Sequence, residues 1–392
     1  MSTNPHPASA GHAAVPGAPV RQGGAPADSP WAPAGANLSA PREKGDGASA
    51  GLYGAPAQQS GPAVAYHAPD ALRLFRECFR ALADNVERVL MGKRDTVELA
   101  LTALFAEGHL LIEDVPGTGK TTLARALAAS LNASWQRVQF TPDLLPSDIT
   151  GVSMFRQTTN TFEFLPGPVF ANIVIGDEIN RASPKTQSAL LEVMEEARVT
   201  VDGSAHPVPR PFMVVATQNP VDMSGTYPLP EAQLDRFLMR LSVGYPDTRS
   251  EIQVASGAAG AASVETLPAI ATAQHIGEFI EVARNRVQAA EPVVDYAVRI
   301  AQATRTSPHL KLGAGPRGSV ALIRAAKVRA ASQERGHLLP EDVKDLAEPV
   351  LTHRLMLAPD AELAGWTPES VLADILATVP APVVGGLAGA RR

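Results

Sequence analysis

Leu110-Leu111-Ile112-Glu113-Asp114-Val115-Pro116-Gly117-Thr118-Gly119-Lys120-Thr121-Thr122-Leu123-Ala124-Arg125-Ala126-Leu127 is the stretch on which the reading of the fold turns. The apolar run Leu110-Leu111-Ile112 predicts a buried strand, the residues from Leu123 predict a helix, and a glycine-containing loop joins them. That is the context of a phosphate-binding loop. Glycines let the backbone curl so that successive N–H groups point at an anion, the helix start adds the positive end of its dipole, and Lys120 supplies a mobile charge. Asp114, Val115, Pro116, Gly117, Thr118, Gly119, Lys120, Thr121 and Thr122 are therefore the candidate nucleotide-binding residues, with the Thr121 hydroxyl a candidate ligand of Mg²⁺. One position departs from G-x-x-x-x-G-K-[ST]: Asp114 stands where the first glycine belongs. A Gly-Lys turn merely joining strand to helix is the competing reading. The presence of strand, inner glycines, Lys-Thr and helix together favours the phosphate loop.

Further along, Asn172-Ile173-Val174-Ile175-Gly176-Asp177-Glu178 is an apolar strand ending in two acids. A buried parallel strand delivers its C-terminal residues to the crevice where ligands bind. Asp177 is then the candidate holder of the Mg²⁺ water shell and Glu178 the candidate general base toward the attacking water. Phe212 to Thr217 forms another buried strand, and it presents Asn219, which either senses the γ-phosphate or forms a turn before Pro220. Between the second strand (Trp135 to Phe140) and the strand ending at Asp177, Gly151 to Phe170 reads as a hairpin, and Val199 to Gly203 as half of a smaller one.

Upstream, Leu72, Phe75, Phe79, Leu82, Val86 and then Val97, Leu101, Leu104 recur at helical spacing, so two amphipathic helices should pack on the core around a turn at Met91-Gly92-Lys93. Residues 1–66 are dominated by Pro, Ala, Gly and Ser and lack the apolar residues needed to offset ordering entropy; a disordered tail is expected. From Pro246 onward only helical patterns appear. The expected organisation is thus a tail at 1–66, an α/β nucleotide-binding core at 67–244, a small all-helical domain at 245–380 with Tyr245-Pro246-Asp247 as hinge, and a flexible C-terminal tail at 381–392.

Composition bounds the function. The 392 residues carry a net charge of −6, which lacks the basic footprint of a nucleic-acid binder. A lone cysteine, Cys78, excludes an internal disulfide and suits a reducing compartment, and no signal peptide or membrane-length apolar run is present. A cytoplasmic protein is expected. The histidines, among them His109, His206 and His353, show no paired metal spacing.

With these residues in hand, the chain resembles the MoxR family of AAA+ ATPases from about Ala71 to Leu357. The blocks that carry the resemblance are Glu113 to Thr121, Gln139-Phe140-Thr141-Pro142-Asp143-Leu144-Leu145-Pro146-Ser147-Asp148, Asp177-Glu178-Ile179-Asn180-Arg181-Ala182, Ala216-Thr217-Gln218-Asn219-Pro220 and Pro230-Glu231-Ala232-Gln233-Leu234-Asp235-Arg236-Phe237. The resemblance implies a P-loop core with a parallel sheet flanked by helices, a helical lid, a hairpin inserted after the second strand and a hexameric ring. It makes the acid at Asp114 a familiar variant. It assigns Lys120 and Thr121 to the Walker A pair, Asp177 and Glu178 to Walker B, Asn219 to the first sensor, Arg236 to an arginine finger and Arg317, on the lid, to the second sensor. Arg181 is a further candidate for action across an interface. ATP and Mg²⁺ are the implied cofactors, and a protein with a von Willebrand factor A-type domain is the implied partner. A chaperone-like motor is the resulting reading. Its competitors are a nucleic-acid-linked motor of helicase or restriction-translocase type, disfavoured by the acidic balance, and a non-hydrolysing scaffold, disfavoured by Glu178 and Arg236. The hairpin near Met154 lacks the Gly-Ala-Phe-Thr-Gly-Ala loop of a sigma-factor activator.

Overall fold

The computed structural model describes residues 69–115, 117–219, 226–246, 248–255 and 263–382. The expected N-terminal tail at 1–66, Pro116 of the loop, Pro220, Asp247 of the hinge and residues 383–392 lie outside the described residues. In chain order the elements are α1 (Ala71–Glu87), α2 (Arg94–Phe105), β1 (Leu110–Glu113), α3 (Lys120–Ser130), β2 (Trp135–Gln139), α4 (Pro146–Thr150), β3 (Gly151–Arg156), β4 (Thr161–Pro166), β5 (Ile173–Asp177) and α5 (Pro184–Glu196). There follow β6 (Arg198–Val201), β7 (Ser204–Pro207), β8 (Met213–Gln218), α6 (Glu231–Leu234), β9 (Met239–Leu241) and α7 (Thr248–Ala255). The remainder is α8 (Ala273–Arg286), α9 (Glu291–Thr306), β10 (Leu310–Leu312), α10 (Pro316–Ser332), α11 (Pro340–Leu351), β11 (Met356–Leu357), α12 (Pro359–Leu363) and α13 (Pro368–Thr378).

Five parallel strands form one sheet in the order β2-β5-β8-β1-β9. The three inner strands, β5, β8 and β1, are short and buried on both faces because both faces are covered, whereas the edge strand β2 is largely exposed. Alternate residues serve opposite cores: Leu110, Ile112, Ile173, Ile175, Met213 and Val215 pack toward α1–α3, while Leu111, Val174, Val214 and Ala216 pack toward α5. The register aligns the strand ends, with Gln139 opposite Asp177 and Glu113 opposite Gln218. Consequently the residues that follow β1, β5 and β8 emerge together along one edge of the sheet.

The two predicted amphipathic helices do more than cover the sheet. Phe75 of α1 is fully buried, tilted against Phe105 of α2 at 4.9 Å and edge-on to Phe279 of α8 at 5.8 Å, so α1 ties the sheet layer to the helices beyond α7. A single apolar cluster runs from Ile112 through Phe75 to Ile300 and Leu346. The chain after α7 is helical as expected, with one exception: β10 and β11 pair as a two-stranded antiparallel ribbon. Leu310-Lys311-Leu312 is half-buried to exposed and too short to show a period-2 pattern, which is why sequence alone read no strand there. Phe237 to Val243 reads in the sequence as one more strand of the sheet, but only Met239–Leu241 forms it, as β9. The predicted inserted hairpin is present as β3–β4; Pro142 to Ile149 ahead of it reads in the sequence as a loop, yet Pro146–Thr150 forms the short α4. Among the described residues no helix is long and apolar enough to cross a membrane.

Candidate active site

The loop after β1 has the backbone that its sequence demands. Gly117 and Gly119 have φ of +86° and +92°, a left-handed conformation that side chains resist, and a Cβ on Gly119 would also stand 3.0 Å from the Leu90 side chain. Helix α3 begins at Lys120, so its unpaired N–H groups open onto the loop. Lys120 Nζ donates to the Asp114 carbonyl at 2.5 Å, which draws the ammonium back across the loop. Burial lowers the Lys120 pKa despite the opposing attraction of Asp114, Asp177 and Glu178.

Asp114, the departure from the glycine pattern, has a definite task. Its carboxylate accepts from the Val115 amide at 2.9 Å, the Gly244 amide at 2.6 Å and the Ser242 hydroxyl at 3.2 Å. Burial by itself raises its pKa, but the hydrogen bonds from Gly244, Val115 and Ser242 outweigh it and the net shift is downward. Asp114 thus fastens the phosphate loop to the segment that leaves β9. Lys93 Nζ fastens the same segment from the other side, donating to the Tyr245 carbonyl at 2.7 Å. The Gly92-Lys93 turn therefore meets the expected hinge.

The acids of β5 arrive beside the loop. Asp177 is buried; its Oδ1 accepts from the Thr217 hydroxyl at 3.2 Å and lies 3.4 Å from the Thr121 hydroxyl. Its Oδ2 accepts from Arg137 Nε at 2.5 Å. Two oxygen donors beside a phosphate loop suit Mg²⁺, which takes one or two protein oxygens and completes its shell with phosphate and water. Glu178 has φ of +57°, rare for a non-glycine residue, and its amide is held by the Thr217 hydroxyl at 3.1 Å. Its carboxylate meets Gln139 Nε2 at 3.2 Å and Arg181 Nε at 2.9 Å. Asn219 directly follows β8, whose Gln218 carbonyl accepts the Asp114 amide at 3.3 Å.

Thr217, Arg137 and Gln139 were not singled out from sequence as site residues. A strand-end hydroxyl and an amide opposite Asp177 become meaningful only through sheet register.

Arg236 and Arg317 lie elsewhere. Helix α5 returns from the acidic edge toward the start of the strands, and its 13 residues at ~1.5 Å each span roughly 20 Å. Near its far end, the Met194 carbonyl meets His109 Nε2 at 3.0 Å, and His109 immediately precedes β1. There Arg236 donates to the Leu191 carbonyl at 2.7 Å and pairs with Glu195 at 3.1 Å. Arg317, the second residue of α10, pairs with the same Glu195. Arg354 packs behind them, paired with Asp235 at 2.8 Å. Loop, acids and Asn219 thus form one group along one edge of the sheet, and the two arginines form a second at the opposite end.

Residues 109–239 match the ATPase family associated with various cellular activities (AAA), and residues 302–375 match the AAA lid domain. The chain is 50% identical over 301 residues to the uncharacterized protein YeaC of Bacillus subtilis, covering 76% of this chain and 93% of that one. It is 40% identical over 312 residues to Chaperone MoxR1 of Mycobacterium tuberculosis, covering 77% and 82% respectively. Protein MoxR of Methylorubrum extorquens is 29% identical over 333 residues, covering 79% and 96%. Among solved structures, a candidate ATPase from Cytophaga hutchinsonii superposes with a TM-score of 0.74 at 36% identity, covering 80% of this chain and 97% of that one.

Proposed function

The chain is a chaperone-like ATPase of the MoxR family within the AAA+ class, and from that premise we propose that it hydrolyses Mg-ATP only as a ring and uses the turnover to remodel a partner protein. The observation that carries the proposal is the separation of the two groups: the arginines suited to the γ-phosphate stand at the end of the sheet opposite Lys120. Within one chain they cannot serve their own phosphate loop, whereas in a closed ring each copy offers its arginines to the next.

In this mechanism Lys120 and the amides that open α3 bind the phosphates. The hydroxyl of Thr121 and the carboxylate of Asp177 would hold Mg²⁺, which would supply positive charge to offset that developing on the phosphates. Glu178 orients and deprotonates the attacking water; Gln139 and Arg181, both on its carboxylate, hold it until a γ-phosphate competes for them. Asn219 lends an amide to the same water without adding charge. Arg236 and Arg317 of the adjacent copy complete the positive field.

The protein partner is supported by the β3–β4 hairpin. It exposes Met154, Phe155 and Phe162, the last 72% accessible, with the two phenylalanine rings 5.2 Å apart. Exposed apolar side chains of this kind suit contact with another polypeptide. A von Willebrand factor A-type domain as that partner and a hexamer as the ring follow the family's pattern, and the lone cysteine, Cys78, favours the cytoplasm as the compartment. Replacing Arg236 by Ala tests the central point: turnover should fall by 10³-fold or more, on the scale of a lost arginine finger, while nucleotide binding persists. Loss of binding in that variant would make Arg236 structural. Stimulation of turnover by DNA would favour a nucleic-acid motor instead.

A further inference from the structure

We propose that Glu195 is a positioning residue: it sets Arg236 and Arg317 side by side so that both reach one phosphate of a nucleotide bound by an adjacent copy. The inference rests on the assembly reading above and adds to it a residue that no motif marks.

The two arginines belong to different parts of the molecule. Arg236 follows α6 in the sheet layer, and Arg317 opens α10 among the later helices. No covalent neighbour fixes the distance between them, and two guanidinium groups brought together repel. Glu195 resolves both problems with separate oxygens. Its Oε2 lies 3.1 Å from Arg236 Nη2, and its Oε1 contacts Arg317 Nη2.

The last turn of α5 acts as a two-point cradle. The Leu191 carbonyl receives Arg236 Nη1 at 2.7 Å, and Glu195, four residues on, receives Nη2. Arg236 Nε is buried with no hydrogen-bond partner among the described residues, so within them the guanidinium is held through its Nη atoms. Each Nη retains a second proton for an incoming oxygen. The nearby carboxylate of Asp235 cannot substitute: its Oδ1 is engaged by the buried Arg354 at 2.8 Å, and its Oδ2 stands 4.0 Å from Arg317.

These groups border an open cavity of about 420 Å³ in which four arginines (Arg236, Arg317, Arg324 and Arg354) face three carboxylates (Glu107, Glu195 and Asp235). The excess of positive charge suits an anion arriving from outside. Arg317 is 54% accessible and Arg236 29%, so the approach is open. Ion pairs this exposed add little to the stability of a single subunit. Their value rises once assembly excludes water, which places the role of Glu195 in turnover and not in folding.

The test uses Glu195→Gln in the full chain. At saturating ATP its kcat should fall about 10- to 100-fold, the scale of a misplaced catalytic group, with KM and melting temperature unchanged; Glu195→Asp should recover part of the loss. The variant is then mixed with Lys120→Ala subunits, which lack their own phosphate-binding lysine but carry intact arginines. Arg236→Ala mixed with Lys120→Ala runs in parallel. Recovery of turnover in both mixtures supports the inference. Recovery with Arg236→Ala but not with Glu195→Gln overturns it, since Glu195 would then serve its own site or the fold. Absence of recovery with Arg236→Ala overturns the assembly reading itself. Wild-type kcat in Glu195→Gln removes Glu195 from the mechanism outright, and if that variant aggregates, Glu195→Asp goes through the same mixtures.

Discussion

Glu178 has a left-handed backbone where β5 ends, and the Thr217 hydroxyl holds its amide there. That conformation turns the carboxylate out of the strand's path and toward Gln139 and Arg181. In the proposed site Glu178→Gln keeps shape and hydrogen bonding but loses the base, so turnover should drop about 10²- to 10⁴-fold with ATP still bound, as a filter-binding assay would show. Undiminished hydrolysis would remove Glu178 from the mechanism. Asp114 supplies a second prediction. Restoring the consensus glycine by Asp114→Gly leaves the Gly244 and Val115 amides and the Ser242 hydroxyl without their acceptor, so thermal unfolding should register a loss of about 1–3 kcal/mol. A stability gain would mean that the carboxylate is incidental. Sequence reading reached Lys120, Asp177, Glu178 and Asn219 because strand, loop and helix patterns are local. It did not reach Thr217, Arg137 or Gln139, whose contacts with Asp177 and Glu178 arise from pairing between strands far apart in the chain.

Between elements, the segment Thr352-His353-Arg354 joins the later helices to the sheet layer. Arg354 is nearly inaccessible; it donates to Asp235 at 2.8 Å and to the Phe237 carbonyl at 2.6 Å, and it also contacts the Val350 carbonyl. Burial lowers its pKa against the opposing attraction of Asp235. Arg354→Ala leaves Asp235 without its buried partner, and because Asp235 is itself a quarter accessible, the loss should fall near about 3 kcal/mol, the low end for a broken buried pair. Chemical denaturation would measure it, and a change under 1 kcal/mol would show that the segment does not clamp the two layers. The order of strands and helices was legible from hydrophobic periodicity, as Phe75, Leu82 and Val86 show. What escaped was how elements meet: the β10–β11 ribbon has too few residues to carry a pattern, and the convergence of Arg236 and Arg317 on Glu195 depends on α5 returning across the sheet.

At the scale of the whole molecule, two buried histidines make stability sensitive to acid. His109 joins the end of α5 to β8, with Nδ1 accepting the Val214 amide at 3.0 Å and Nε2 donating to the Met194 carbonyl. Burial lowers its pKa to about 4. His353, against the Phe237 carbonyl, is likewise held well below the usual histidine range, by burial and by Arg354. Both are neutral when folded, whereas the unfolded chain takes up protons below about 6.5. The contribution of these two histidines to stability is therefore fully present above that pH and is lost as pH drops from about 6.5 to 4, with His109 alone accounting for about 3 kcal/mol. His109→Gln should reduce the slope of unfolding free energy across that window, leaving the share of His353; an unchanged slope would contradict the assignment.

Assembly is the larger claim, because one copy holds Lys120 and Glu178 at one end of its sheet and Arg236 and Arg317 at the other. The most direct measurement is specific ATPase activity across a dilution series, with light scattering on the same samples. Activity per subunit should rise with concentration and share its midpoint with the appearance of the oligomer. Constant activity per subunit in material that scatters as a monomer would contradict it.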